Sequence, residues 1–268
     1  MNNQLEDLYK GCCDHEHGEV NLADDGIDDA LRLLLIELYH TSGTDGTLNQ
    51  VITKYFADKL WKGVTEGFGS DIGSLDYDTP DYNMLTKLKE NVWHFSAAKN
   101  YAQLRELSDA LLDGEGQLRT FEQFLDAAKP INERYMKTWL KTEYELAVAG
   151  GQMAGKWIDI EKNAETFPLI QFDVVMDNRT SDICRPLDRV IVPIDHPMVK
   201  RFYPPNHFGC RTTVRQLRTG KITPDDKIIT PEIPAMFRTN LGQRGLIFPP
   251  GHAYFEGLPD SVKDSFKP

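Results

Sequence analysis

The chain has 268 residues, 40% hydrophobic and 26% charged, which is the balance of a folded, soluble protein with room for one large or two modest domains. Its formal net charge of −11 argues against a protein that coats nucleic acid over its whole surface. No apolar run approaches the roughly 18 residues that span a bilayer, and the opening MNNQLEDLYKG lacks the basic start and apolar stretch of an export signal, so neither a membrane span nor export is predicted.

Four cysteines are too few for a disulfide scaffold and are expected as thiols or metal ligands. The first two fall in CCDHEH, with Cys12, Cys13, His15 and His17. Adjacent cysteines followed by alternating histidines match no zinc-finger spacing, so this segment is expected to be frayed or loosely docked, with ligation as the alternative. Ile27, Leu31, Leu34, Leu35 and Leu38 then mark one helical face behind Asp24, Asp25, Asp28 and Asp29, and acidic residues suit a helix start. A second helix is predicted from about Leu48 to Gly67, broken by Gly63, Gly67, Phe68 and Gly69, with a Gly-, Asp- and Ser-rich loop to Pro80.

From Tyr82 the helical pattern resumes through Leu112 as one long or two consecutive helices, with an interruption near Asn100. Phe121, Phe124 and Leu125 mark a short helix closed near Pro130, and the longest helix is predicted from about Asn132 to Ile160. Glu143 is the carboxylate on its otherwise apolar face, where a buried Glu bonded to an Arg or a backbone amide is expected, with catalysis as the alternative. Ala149, Gly150, Gly151, Ala154 and Gly155 would let another element approach closely.

After Phe167-Pro168 the period changes to two. Leu169 to Val175, Val190 to Ile194 and Thr212 to Leu217 read as three short strands. Between them lies the densest stretch of the chain, Asp177 to Val214: DNRTSDICRPLDRVIVPIDHPMVKRFYPPNHFGCRTTV. From Asp177 to Lys221, nine Lys and Arg stand against four Asp, a local +5 that leaves −16 for the rest. A basic module on an acidic body could face phosphate or an acidic partner, and a solvated mixed-charge face is the plainer reading. Beyond Lys221, recurring Pro and Gly predict an extended, wrapping tail.

The fold class is therefore α+β. A mainly α-helical N-terminal region (1–130) is followed by a module with the long helix and a small sheet (131–221) and a loop-rich C-terminal tail (222–268).

Within the dense stretch, Asp177, Arg179, Thr180, Cys184, Leu187, Asp188, Pro204, Pro205, His207, Cys210 and Arg211 form a pattern that resembles the signature of the phage Mu F-like minor head proteins. Phe95 to Leu107 (FSAAKNYAQLREL) and Trp139 to Tyr144 (WLKTEY) resemble the helical half of the same head morphogenesis family, so the likeness runs from about Asp81 to Leu217. Two departures stand out. Related motifs commonly carry Gly after the L-D pair where this chain has Arg189, and they often end C-R-C where this one reads Cys210-Arg211-Thr212. A tight turn needing positive φ at Arg189 is costly without Gly.

Cys184, His207 and Cys210 are residue types that zinc prefers, and H-x-x-C can turn both of its ligands inward. A structural zinc would pin two distant segments together, with Asp177, Asp188 or His196 as the fourth ligand; buried thiols and a carbonyl-bonded imidazole are the alternative. Asp177 and Arg179 could pair across one residue, or Asp177 could cap a turn while Arg179 clamps the loop. Pro204-Pro205 reads as a loop stiffener. No P-loop, G-x-G-x-x-G, H-E-x-x-H or G-x-S-x-G is present.

The resemblance implies a minor head protein of a tailed phage or prophage, a non-enzyme present first in the host cytoplasm during assembly and then in the virion head. It would work by contacts with portal, scaffold or major capsid protein at the portal or capsid interior, and Arg201, Arg211, Arg215 and Arg218 could touch packaged DNA. The alternative class is an enzyme, a metal-dependent nuclease or toxin-like processing domain using Asp177, Asp182, Asp195 or His196.

Overall fold

In the computed structural model, residues 2–10 and 26–264 are described, so Cys12, Cys13, His15 and His17 lie outside the described residues. The N-terminal part is helical. α1 (Asn2–Lys10) buries Leu5 and Tyr9 in the core. α2 (Ile27–Thr41) buries Leu34, Leu35 and Leu38 and carries Asp28 and Asp29 in its first turn. α3 (Gln50–Phe68) starts where the Asn49 side chain accepts from Ile52 N and stops at Gly69, whose φ of 83° is a left-handed cap.

Gly63 and Gly67 do not break α3. They are where it meets α6 (Trp139–Lys162): a Cβ on Gly67 would lie 1.9 Å from the Val148 carbonyl oxygen, and one on Gly151 would lie 2.3 Å from the Val64 oxygen. The small residues on both helices thus set backbone against backbone.

α4 (Pro80–Asp109) is one unbroken helix and the longest in the described structure. Thr79 caps it and Pro80 opens it. The expected interruption at Asn100 is absent because Asn100 is buried, its Oδ1 accepting from Asn49 N at 2.9 Å and from Thr53 Oγ1 at 3.3 Å across to α3. α5 (Phe121–Glu133) begins with a capping box of Thr120 and Gln123 and passes through Pro130 without ending. A π-helical turn, Arg134–Thr138, carries the chain from α5 into α6, so the helix expected to start near Asn132 is the second part of one continuous helical path.

The sheet has three antiparallel strands, β1 (Leu169–Asp173), β2 (Ile191–Pro193) and β3 (Thr213–Leu217), in the order β2-β1-β3. Between β2 and β3 lies the short α7 (Pro197–Phe202), capped by His196 Nδ1, which accepts from Met198 N. Phe172 and Val214 are buried, and α6 grips the sheet through Lys156, which donates to Thr213 Oγ1 and the Val214 carbonyl, while Gln216 donates back to the Ile160 carbonyl. The architecture is α+β, as the periodicities predict.

From Lys221 onward the chain is mostly turns and short helical pieces, but its apolar residues enter the same core as the helices. Phe248 stacks on Phe95 with centroids 3.9 Å apart. Its backbone exchanges two hydrogen bonds with Asn91 of α4, Phe248 N donating to Oδ1 at 2.8 Å and Nδ2 donating to the Phe248 carbonyl at 2.7 Å. None of the described helices is long and apolar enough to cross a membrane.

Candidate functional site

Two loops of the dense stretch meet beside the sheet. The first runs from β1 to β2 and folds by local side-chain bonds. Asp177 Oδ1 accepts from Arg179 N at 2.9 Å, Thr180 Oγ1 accepts from Asp177 N at 2.7 Å, and Ser181 Oγ accepts from Cys184 N at 3.1 Å. The second follows α7. After the cis Pro204-Pro205 bond, His207 to Cys210 makes a tight turn in which Cys210 N donates to the His207 carbonyl at 3.2 Å. Gly209 takes φ 68°, a left-handed backbone that L side chains rarely adopt, so this residue lets the two ends of the turn face the same way.

A bidentate ion pair joins the loops. Arg211 donates to Asp177 Oδ1 at 2.6 Å and to Oδ2 at 2.8 Å. Asp177 therefore caps its own turn and pairs with Arg211 across the loops, rather than with Arg179. The Arg211 guanidinium, followed by the turn amide, holds the Asp177 carboxyl well below the usual carboxylate range.

Inside this clamp the three residues expected as metal ligands come together. Their ligand atoms lie within 4.8 Å of one another, with Cys184 buried and His207 half-buried. Cys184 Sγ is 3.6 Å from Cys210 Sγ and 3.2 Å from His207 Nε2, and both thiols are free. The hydrogen bond from the Cys210 thiol pulls the Cys184 thiol down to about 6 against the effect of burial, while the same bond and burial push Cys210 up. The pair thus favours a thiolate on Cys184 with a shared proton.

The expected fourth ligands are elsewhere. Asp177 is held by Arg211, Asp188 Oδ1 accepts from Val174 N at 3.2 Å, and His196 caps α7 with its Nε2 3.3 Å from Asp225 Oδ1. The oxygen that does reach the cluster is Ser181 Oγ, 2.8 Å from His207 Nε2. No sequence pattern marks Ser181, because only the folding of the first loop carries it there. The four residues of the nuclease alternative do not converge: Asp182 and Asp195 are exposed, and among the described residues the one group of potential ligand side chains is Cys184, His207 and Cys210.

The turn at Asp188-Arg189 takes the costly form, since Arg189 has φ 61° without being Gly. Its amide donates to the Phe172 carbonyl at 3.0 Å, which ties the turn to β1.

Glu143 occupies a second, deeper cluster. Its Oε2 accepts from Lys99 Nζ at 2.6 Å and its Oε1 from Tyr9 at 2.6 Å and from Tyr254 at 3.1 Å. The partner is therefore Lys99, where an Arg or a backbone amide was expected. The ammonium also lies over the rings of Phe56, Tyr135 and Tyr254 at 4.9, 5.6 and 5.5 Å. Burial disfavours both charges, raising Glu143 and lowering Lys99, and their contact opposes each shift. Tyr9 links the two clusters, stacking on Trp139 and on Phe208 of the His207–Cys210 turn, each at 5.0 Å.

Of the basic residues considered for DNA contact, Arg211 and Arg215 are paired with Asp177 and Asp173. Arg201 and Arg218 lie over Phe202 and Phe167 at 5.4 and 5.6 Å.

Residues 104–215 match the family described as Phage Mu protein F like protein. The match takes in α5, α6, the two loops and most of the sheet, and the resemblance read from the signature residues holds there. It begins at Leu104, so Phe95–Leu107 lies ahead of it except for its last four residues. No curated protein and no solved structure matches the chain.

Proposed function

We propose, from the Mu F-like character of residues 104–215, that this protein is a minor head protein of a tailed phage or prophage that acts in head morphogenesis by contact with other head proteins. The single observation that carries this reading is the family match, which takes in the whole Cys184, His207 and Cys210 cluster and the Glu143 of the deeper one, whose partners Lys99, Tyr9 and Tyr254 lie outside it. The use of the signature residues supports it. Asp177 and Arg211 are spent on each other and hold two loops in place, as a scaffold for contacts requires.

Portal, scaffold or major capsid protein are the partners this reading assigns, at the portal or capsid interior, first in the host cytoplasm and then in the virion head. Arg201 and Arg218, which form no ion pair with a carboxylate among the described residues, would be the side chains turned to packaged DNA, and Arg211 and Arg215 would serve the fold instead. The test is sedimentation of procapsids assembled with and without the tagged protein, followed by an Arg201→Glu/Arg218→Glu variant. Co-sedimentation with procapsids is expected, with DNA retention in the particle reduced by the double variant. Failure to enter particles, or divalent-metal-dependent cleavage of DNA by the purified protein that Asp177→Ala abolishes, would overturn it.

A further inference from the structure

Cys184, His207 and Cys210 bring their ligand atoms within 4.8 Å of one another, and the two separations from Cys184 are close to those of a filled coordination shell. Four ligands around zinc, with Zn–S of about 2.3 Å and Zn–N of about 2.0–2.1 Å, place two sulfurs roughly 3.8 Å apart and a sulfur and a nitrogen roughly 3.5 Å apart. The observed separations are 3.6 Å between the sulfurs and 3.2 Å from Cys184 Sγ to His207 Nε2. A disulfide would need about 2.05 Å. The imidazole is also set for a metal: His207 Nδ1 donates to the Phe208 carbonyl at 2.6 Å, which leaves the lone pair on Nε2, the nitrogen that faces the thiols. Hydrogen-bond donors surround the sulfurs. The Thr212 hydroxyl, buried with no nitrogen or oxygen partner, faces Cys184, and the Asn206 backbone N–H faces Cys210.

We propose that Cys184 Sγ, Cys210 Sγ and His207 Nε2 bind one zinc ion, with an oxygen at the fourth position for which the Ser181 hydroxyl is the group at hand. Binding displaces to solvent whatever protons the two sulfurs carry, and the two thiolates neutralise the dication, so that the filled centre is uncharged. The ion would clamp the β1–β2 loop to the turn that follows α7, working alongside the Asp177–Arg211 pair. The competing use of the same side chains is a Cys-His nucleophile pair. Cys184 is only 3% exposed, so a substrate has no approach to its sulfur, whereas an ion can reach the cluster past the half-buried His207.

This inference goes beyond the assembly role and is tested without it. The experiment uses the full chain carrying Cys12→Ser and Cys13→Ser, so that all thiolate signals come from the remaining pair. Zinc content is measured by elemental analysis, and cobalt titration of the reduced, metal-stripped protein is followed by absorption. One zinc per chain is expected, with the intense visible bands of tetrahedral cobalt and a thiolate charge-transfer band. Cys184→Ser should remove about half of that band and weaken zinc retention at least tenfold, with the circular dichroism of the helices unchanged. Ser181→Ala should bind zinc with the band intact, since the fourth donor is an oxygen that water can supply. Less than a tenth of an equivalent of zinc and no cobalt thiolate band in the folded, reduced protein would overturn the proposal. So would zinc that is present in the unaltered chain and disappears with Cys12 and Cys13.

Discussion

At the scale of single residues, Glu143 and Lys99 form a charge pair with both side chains fully buried. A charge pair taken wholly out of water is not of itself a large source of stability, but breaking one side of it leaves the other stranded. Glu143→Gln should therefore cost about 3–5 kcal/mol in urea denaturation, and Lys99→Met with Glu143→Gln should cost less than the sum of the two single changes. Additive losses would mean that the 2.6 Å contact carries no coupling. Arg189 gives the opposite expectation. Its φ of 61° is strained for any residue with a Cβ, and among the described residues the ion pair of its side chain is a loose 3.9 Å contact with Asp188. Arg189→Gly should stabilise the protein by about 0.5–1 kcal/mol, read as a raised denaturation midpoint with an unchanged slope.

His252 adds a pH dependence. Burial, with a smaller contribution from Lys99, holds its folded pKa down to about 3, against 6.5 when exposed. The unfolded chain thus binds the extra proton at any pH between the two values, so stability falls as pH drops below about 6.5. From pH 7 to pH 5 this one group should remove roughly 2 kcal/mol. His252→Asn keeps an N-cap acceptor for Tyr254 N and removes the titration, so its loss of stability over that interval should be smaller by this amount; parallel curves would refute the assignment.

At the scale of elements, glycines in one helix face are not equivalent. Gly151 stands against the backbone of α3, while a Cβ on Gly155 would meet Phe68 at ordinary contact distances, 3.5 Å to its ring and 3.8 Å to its carbonyl oxygen. Gly151→Ala should push the helices apart and cost about 1–3 kcal/mol, and Gly155→Ala should gain up to about 1 kcal/mol from helix propensity. Thermal unfolding of the two variants checks both signs at once. The same helices show what a one-dimensional pattern conveys. The run of apolar residues at helical spacing identified α2, α3 and α4, and the change to a two-residue period identified the strands, because burial of one face demands those periods. Asn100, Pro130, Gly63 and Gly67 were misleading for a common reason: each carries a local signal for a break that a tertiary contact or the continuing helix outweighs. α1 was missed although Leu5, Leu8 and Tyr9 have helical spacing, since a short polar opening carries little weight without its partners.

At the scale of the whole molecule, the sequence made the ligand types Cys184, His207 and Cys210 legible but not what surrounds them. Residue types that coordinate or pair are recognisable by chemistry, whereas Ser181, Lys99 and Tyr9 arrive at their places only through long-range folding. Asp177 reads as a partner for the nearby Arg179 because adjacency is visible in a string, and the pairing with Arg211 is not.

The exchange of hydrogen bonds between Asn91 and Phe248 bears on how the chain is made. During synthesis α4 leaves the ribosome long before the segment that seals its apolar side, so Phe95 and its neighbours must wait uncovered in the nascent polypeptide. A chain truncated before Phe248 is therefore expected to leave Phe95 uncovered, read as increased binding of a hydrophobic dye relative to the full chain.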